Sequence, residues 1–244
     1  MAIWGKILGG TAGLMMGGPL GALLGGLAGH AYDRLKGEPG DENEPSLAKQ
    51  TTFAIGVIVL SAKMAKADGT VTRDEVDAFK QIFHIPPDEI KNVGRVFDQA
   101  RKDSRGFEPY AKQIARLFRE NPAVLEELLG GLFHIATADG VSHPDEIDFL
   151  KKCSDIFGFD EATFQRMRVA HMGAAMDDPY TILGVNRDMS DKEIQKAWRD
   201  LVREHHPDTL VAQGMPEDFI EVATEKIATI NAAYDEIAKQ RGMT

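Results

Sequence analysis

The sequence predicts an all-α protein in three parts: an N-terminal transmembrane helix, a central helical bundle and a C-terminal helical hairpin. Three observations carry this. Ile7 to Gly29 is a run of 23 residues without a charge. Beyond about residue 47 apolar residues recur at helical spacing, with no convincing strand alternation. Near the C-terminus a basic helix, KEIQKAWRDLVREH (Lys192 to His205), runs into His206-Pro207-Asp208 and is followed by a helical stretch ending in INAAYDEIAKQ (Ile230 to Gln240).

As a helix the uncharged run would span about 34 Å, enough for a bilayer core. A secretory signal peptide is the alternative, but its apolar region is shorter and ends in a small-residue cleavage site; GLAGHAYDRL does hold small residues, yet a retained anchor is favoured. Glycine recurs at every fourth position from Gly5 through Gly9, Gly13, Gly17, Gly21 and Gly25 to Gly29. That repeat keeps the glycines on one slowly drifting face where two backbones approach closely, so self-association into a dimer is expected over a merely glycine-tolerant span. Pro19 is expected to kink the helix. Lys6 on one side and Arg34 with Lys36 on the other give only a slight positive-inside bias, toward cytoplasmic C-terminal domains.

A polar, proline-containing linker, GEPGDENEPS (Gly37 to Ser46), separates this anchor from the bundle. Helices are expected at 47–67, 72–84, 87–103, 108–120, 122–138, 144–157 and 160–173. FAIGVIVLSA (Phe53 to Ala62) is too short for a second span and reads as a buried helix. Two segments repeat: ADGTVTRDEVD (Ala67 to Asp77) and ADGVSHPDEID (Ala138 to Asp148). Each combines a helix end, a glycine turn, a capping Thr or Ser and a new helix opening on Asp-Glu, acids that suit a helix N-terminus. Two readings stand. Asp68, Glu75, Asp139 and Glu146 could hold a divalent ion, although the twelve-residue spacing of an EF-hand is absent. The favoured one is structural, two corners of a duplicated bundle.

The C-terminal pair can be read by faces. Ile194, Trp198, Leu201 and His205 fall on one stripe of the basic helix, to pack on Ile227, Ile230, Tyr234 and Ile237 of the returning helix. Lys192, Lys196, Arg199 and Arg203 fall nearly opposite and must face solvent. Pro207 removes a backbone donor and disfavours helix at His206, so the helix stops there and an imidazole and a carboxylate are left at the tip. A solvated face with pairs such as Lys196–Asp200 is the bland reading; ending in an exposed His-Pro-Asp loop, it reads as a docking surface for an acidic protein.

Composition limits the alternatives. With 244 residues the chain has room for about two small domains. A formal net charge of −10 argues against general nucleic-acid binding. The single cysteine, Cys153, excludes an internal disulfide and a CxxC zinc site and is expected as a core thiol, a pattern that suits a reducing compartment. His84, His134, His143 and His171 are scattered, and no phosphate loop or nucleophile motif follows a predicted strand, so catalysis finds little support. His134 is expected as a satisfied core histidine. No cofactor is implied.

DDPYTILGV (Asp177 to Val185), the helix with AWRDL, the HHPD turn and the helix with INAAY resemble a J domain in all four parts, in order and at suitable spacing. The resemblance implies a partner, a DnaK-class chaperone whose ATP hydrolysis the J domain stimulates. It implies His206, Pro207 and Asp208 as the signalling loop, Lys196, Arg199 and Arg203 as docking charges, and Tyr180 and Leu183 as first-helix core. Trp198 stands where a tyrosine is usual. Gln195 and Asp200 stand at positions often basic in that family, which implies weaker or more selective docking. The bundle resembles the TerB-like domain of tellurite-resistance proteins. MAIWGKILGG with the glycine-rich span is similar to the start of bacterial inner-membrane J-domain proteins. The implied layout is an anchor at 1–36, a linker at 37–46, a TerB-like domain at 47–175 and a J domain at 177–244. The implied function is a membrane-anchored regulatory co-chaperone, itself not an enzyme, with its N-terminus periplasmic and its clients unspecified. The alternative is a membrane scaffold or metal-responsive adaptor working through the acidic bundle.

Overall fold

The computed structural model describes residues 18–25, 44–67, 73–82, 85–103, 105–140, 143–172 and 178–243. Among these every regular element is helical. In order they are α1 (Gly18–Gly25), α2 (Glu44–Ala67), α3 (Arg73–Ile82), α4 (Ile90–Lys102), α5 (Glu108–Leu117), α6 (Pro122–Ala136), α7 (Pro144–Phe157) and α8 (Glu161–Met172). After these come α9 (Pro179–Leu183), α10 (Asp191–Glu204), α11 (Pro207–Ala212), a 3₁₀ turn at Glu217–Phe219 and α12 (Ile220–Arg241). The bundle helices fall where periodicity and helix breakers put them, with ends shifted by up to three residues.

The bundle is built around α2. From Thr51 to Ala65 every residue of this helix is buried, because α4, α5, α6 and α7 all pack on it. A helix apolar on all sides must be enclosed, and FAIGVIVLSA is that enclosed segment. Gly56 lets α5 approach: a Cβ there would lie 2.7 Å from the Ile114 side chain. Lys63, one of the few charges on α2, is 5% exposed. Its ammonium donates to the carbonyls of Asp103 (3.0 Å) and Arg105 (2.6 Å) and lies 5.4 Å from the Tyr110 ring centre. Burial pushes the Asp103 carboxyl up, but the Tyr110 hydroxyl and Arg105 outweigh it and hold the pKa at about 2. Cys153 is fully buried, as expected of a core thiol, and burial pushes its pKa up.

The paired corners are described only in part. In the second, α6 ends at Ala136, Gly140 takes the left-handed conformation (φ 75°) and α7 opens with Pro144 at its first position. Its cap is His143, without a side-chain capping bond, in place of the expected serine. In the first, Asp68 and Thr72 lie outside the described residues.

At the N-terminus only Gly18–Gly25 of the expected 7–29 helix is described, and among the described residues no helix is long and apolar enough to cross a membrane. Leu20 and Leu23 of α1 are buried on the bundle, and the Leu20 amide donates to Gln113 Oε1 at 2.9 Å. Pro19 sits in the first turn of α1, where a missing amide donor is harmless. Gly9, Gly13 and Gly17 lie outside the described residues.

Candidate partner-docking site

The site is a helical hairpin tip whose geometry is fixed from both ends. Ser190 opens α10 with a capping box: its hydroxyl accepts from the Glu193 amide, and the Glu193 carboxylate accepts from the Ser190 amide at 2.8 Å. Arg241, at the end of α12, donates to the Met189 carbonyl (2.8 Å), the Asp191 carboxylate (2.8 Å) and the Tyr180 hydroxyl (3.0 Å). The apolar stripe of α10 packs as its spacing requires. Ile194 is fully buried, against Ile230, Ala233 and Ile237 of α12. Trp198 stacks on Tyr234 with ring centres 4.3 Å apart, and its indole N–H donates to Asn231 Oδ1 at 2.9 Å. Tyr180 and Leu183 of α9 are in the same cluster.

α10 ends at Glu204 with His205 as its C-cap, and His206 caps a further short helix, α11, with Pro207 at its first position. Proline there is pre-set for the helical φ, so the break that stops one helix starts the next. The His206 ring accepts from the Asp208 amide at 3.2 Å. The His206 side chain is 51% exposed and that of Asp208 is 94% exposed. Both are open to a partner. Beside them Trp198, Val202 and Thr209 floor a shallow open groove rimmed by Arg199, Arg203, His206 and Asp208.

The basic stripe faces solvent, as its spacing predicts: Lys196, Arg199 and Arg203 are all exposed. The two departures from the family pattern act on it directly. Asp200 pairs with Lys196 at 3.3 Å and with Arg203. Gln195 accepts from Arg199 through its carbonyl and its side-chain oxygen, at 3.3 and 3.2 Å. Exposed pairs of this kind contribute only about 0.2–1 kcal/mol each; the charges are partly engaged within the helix but remain available.

His205 points the other way. It is 1% exposed, and its Nδ1 lies 2.7 Å from Glu127 Oε1 of α6. An ionised carboxylate only accepts, so Nδ1–H is the donor. Lys226 of α12 reaches Glu126 (2.7 Å) and Glu127 (3.0 Å), and Arg166 of α8 reaches Glu126 at 2.9 Å. Burial pushes both carboxyls up, but Lys226, together with Arg166 for Glu126 and His205 for Glu127, holds them below the usual carboxylate range. His171 stacks on Phe133 with ring centres 5.8 Å apart; burial, then the Lys226 charge, pushes its pKa down to about 4. This polar cluster is flanked by an apolar junction. Leu210, Met215, Phe219 and Ala223 belong to the bundle's core cluster, and Phe219 meets Phe53 of α2 edge-on at 4.8 Å. Sequence reasoning missed this junction.

Of the four metal candidates, two have described side chains. Asp139 is half-buried in the turn after α6 and Glu146 is buried in the first turn of α7. Asp68 and the side chain of Glu75 lie outside the described residues, and no group of three metal-ligating side chains occurs among the described residues. His134, expected in the core, is exposed on α6.

An exposed His-Pro-Asp tip, a basic helix and an apolar hairpin core define a J-domain protein, and residues 178–241 match the DnaJ domain family. Residues 54–169 match the family of tellurite resistance protein TerB, and residues 1–51 match the co-chaperone DjlA transmembrane domain. The chain is 31% identical to the co-chaperone protein DjlA of Shewanella oneidensis, with 100% of each chain covered. It is 30% identical to the DjlA of Aliivibrio fischeri, again over 100% of each, and 26% identical to that of Coxiella burnetii over 82% of each. The chain belongs to the DjlA co-chaperone family. No solved structure matches it.

Proposed function

We propose that this chain is a membrane-anchored co-chaperone that docks a DnaK-class chaperone through His206, Pro207 and Asp208, with Lys196, Arg199 and Arg203 steering the approach, and stimulates its ATP hydrolysis. The observation that carries the reading is the paired presentation at the tip: His206 and Asp208 are exposed on a loop whose flanking helices are locked by capping and packing. A docking loop shifts a partner's equilibrium only by binding one of its states better than the other. Preorganisation is what lets a short loop do so, since little ordering entropy remains to be lost. The chain then has no catalytic group of its own in the reaction; the hydrolytic chemistry is the partner's.

The transmembrane-domain match supports an inner-membrane protein. With the J domain needing an ATP-dependent partner, the C-terminal domains face the cytoplasm and the N-terminus the periplasm. Tethering concentrates the loop at the membrane, which offsets a basic helix whose charges are partly engaged by Asp200 and Gln195. The glycine strip from Gly9 through Gly13 to Gly17 forms the dimer contact within the membrane, whereas Gly21 and Gly25 belong to α1, which lies on the bundle through Leu20 and Leu23.

Two measurements test this. Fluorescence titration of DnaK with the full chain in detergent should give ATP-dependent binding that weakens as salt rises, because the steering charges are exposed; no binding in the ATP state overturns the docking reading. Gly9, Gly13 and Gly17 together replaced by leucine should abolish cross-linked dimers in membranes, and undiminished cross-linking removes the glycine contact.

A further inference from the structure

The tip of the J domain consists of two adjacent histidines with opposite fates. His206 is presented to solvent, whereas His205 is locked into the bundle by Glu127, with Glu126 at 3.7 Å from its other ring nitrogen. His205 is the C-cap of the basic helix and the residue directly before the docking triad. Whatever holds its ring therefore fixes the peptide from which His206 departs. The loop has a second anchor. On the far side of the loop, Leu210 of α11 is fully buried in the bundle core, and Met215 and Phe219 follow it in. Gly214, at φ 109°, brings the chain so close to α2 that a Cβ would lie 2.8 Å from the Lys49 side chain. The loop thus spans two anchor points on a domain other than its own.

We propose that Glu127 is a positioning residue for the His-Pro-Asp loop, so that the TerB-like bundle, through the Glu127–His205 contact, sets how much of the loop is in its docking-competent orientation. This rests on the functional reading above and deepens it. It gives the bundle a task in the reaction that requires neither a metal nor a client. A loop released from one anchor samples more orientations, and apparent affinity falls in proportion to the competent fraction. The stimulated rate at saturation is unchanged, because the bound loop is the same.

The test titrates the full chain against DnaK and reads half-saturating concentration and plateau separately, each normalised to folded protein. Glu127→Leu removes the acceptor and should raise the half-saturating concentration at least fivefold with the plateau within twofold. Glu127→Gln keeps an acceptor for His205 and should stay within twofold of wild type in both. His206→Gln should lose the plateau itself. A folded Glu127→Leu chain with an unaltered half-saturating concentration overturns the positioning role while leaving the co-chaperone reading intact. If the wild-type chain leaves the DnaK ATPase unchanged, the functional reading falls and the proposal with it. Hydrogen exchange of the wild-type chain supplies a readout that needs no variant: the Leu210, Gln213 and Met215 amides, bonded within α11 and the turn after it, should be protected to the same degree as α6. Exchange there more than tenfold faster than in α6 overturns the clamp directly.

Discussion

Replacing His206 with glutamine should abolish stimulation of the DnaK ATPase and leave the fold in place. The side chain is half-exposed, and its contacts in the structure are local: the Asp208 amide at 3.2 Å and the Asp208 carboxylate at 3.8 Å. Losing a helix cap of this kind costs about 0.5–2 kcal/mol. At about 2–4 °C per kcal/mol for a chain of this size, the melting temperature should fall by no more than several degrees. The expected functional loss is of a different order, because on the proposed reading the imidazole belongs to the surface that distinguishes one state of the partner from the other. Steady-state phosphate release with saturating variant should return to the rate of DnaK alone, while circular dichroism matches wild type. A variant that stimulates as well as wild type would remove the His-Pro-Asp loop from the mechanism.

Phe219→Ala should be the most damaging single truncation at the junction of the two domains. The ring is 2% exposed and sits edge-on against Phe53, which is itself 1% exposed and 6.1 Å from Phe118. Removing a buried phenylalanine costs about 3–5 kcal/mol, as lost burial plus the cavity left behind. Phe219 lies between α11 and α12 but is buried in the bundle core, so the loss falls on the coupling between domains as well as on overall stability. Calorimetry should show one unfolding transition for the wild-type chain, and for the variant either a large fall in melting temperature or two separated transitions. A loss below about 1 kcal/mol with one transition intact would show that the junction carries little of the stability, since surface-like sites change stability by about half that.

Much of this architecture was legible because it is written in local chemistry. Pro122, Pro144, Pro179 and Pro207 all open helices, and Gly158, Gly184 and Gly242 close them in the left-handed conformation. The faces of α10 follow from spacing, down to the placement of His205 on the buried stripe, and the exposed tip follows from the Pro207 break. What could not be read is what joins the two domains. Leu210, Met215, Phe219 and Ala223 are too few, and too interrupted by Gly214 and Pro216, to form a periodic pattern. Nothing local to Glu126 and Glu127 signals their burial, because their cations arrive from α8 and α12, far away in sequence. The exposure of His134 was missed for the complementary reason: a helix as apolar as α6 still has one outward row. The apolar N-terminus holds a further lesson. Leucines such as Leu20 and Leu23 are satisfied by any apolar surroundings, lipid or bundle, so hydropathy alone does not choose between them.

The junction gives the family layout a physical meaning. A J domain on a flexible tether would need only its own core. Here the hairpin closes its core on one side and shares the bundle's core on the other, with a buried cluster of two carboxylates, a lysine, an arginine and a histidine between. Breaking such a cluster by removing one partner is costly, because it strands a buried charge. The His-Pro-Asp loop and the bundle that anchors it therefore behave as one body.

Single-turnover hydrolysis of ATP by DnaK, followed as the full chain is titrated in, tests the co-chaperone reading most directly. The account predicts a saturable acceleration of at least tenfold that His206→Gln eliminates; a hydrolysis rate unchanged at every concentration of the wild-type chain would contradict it.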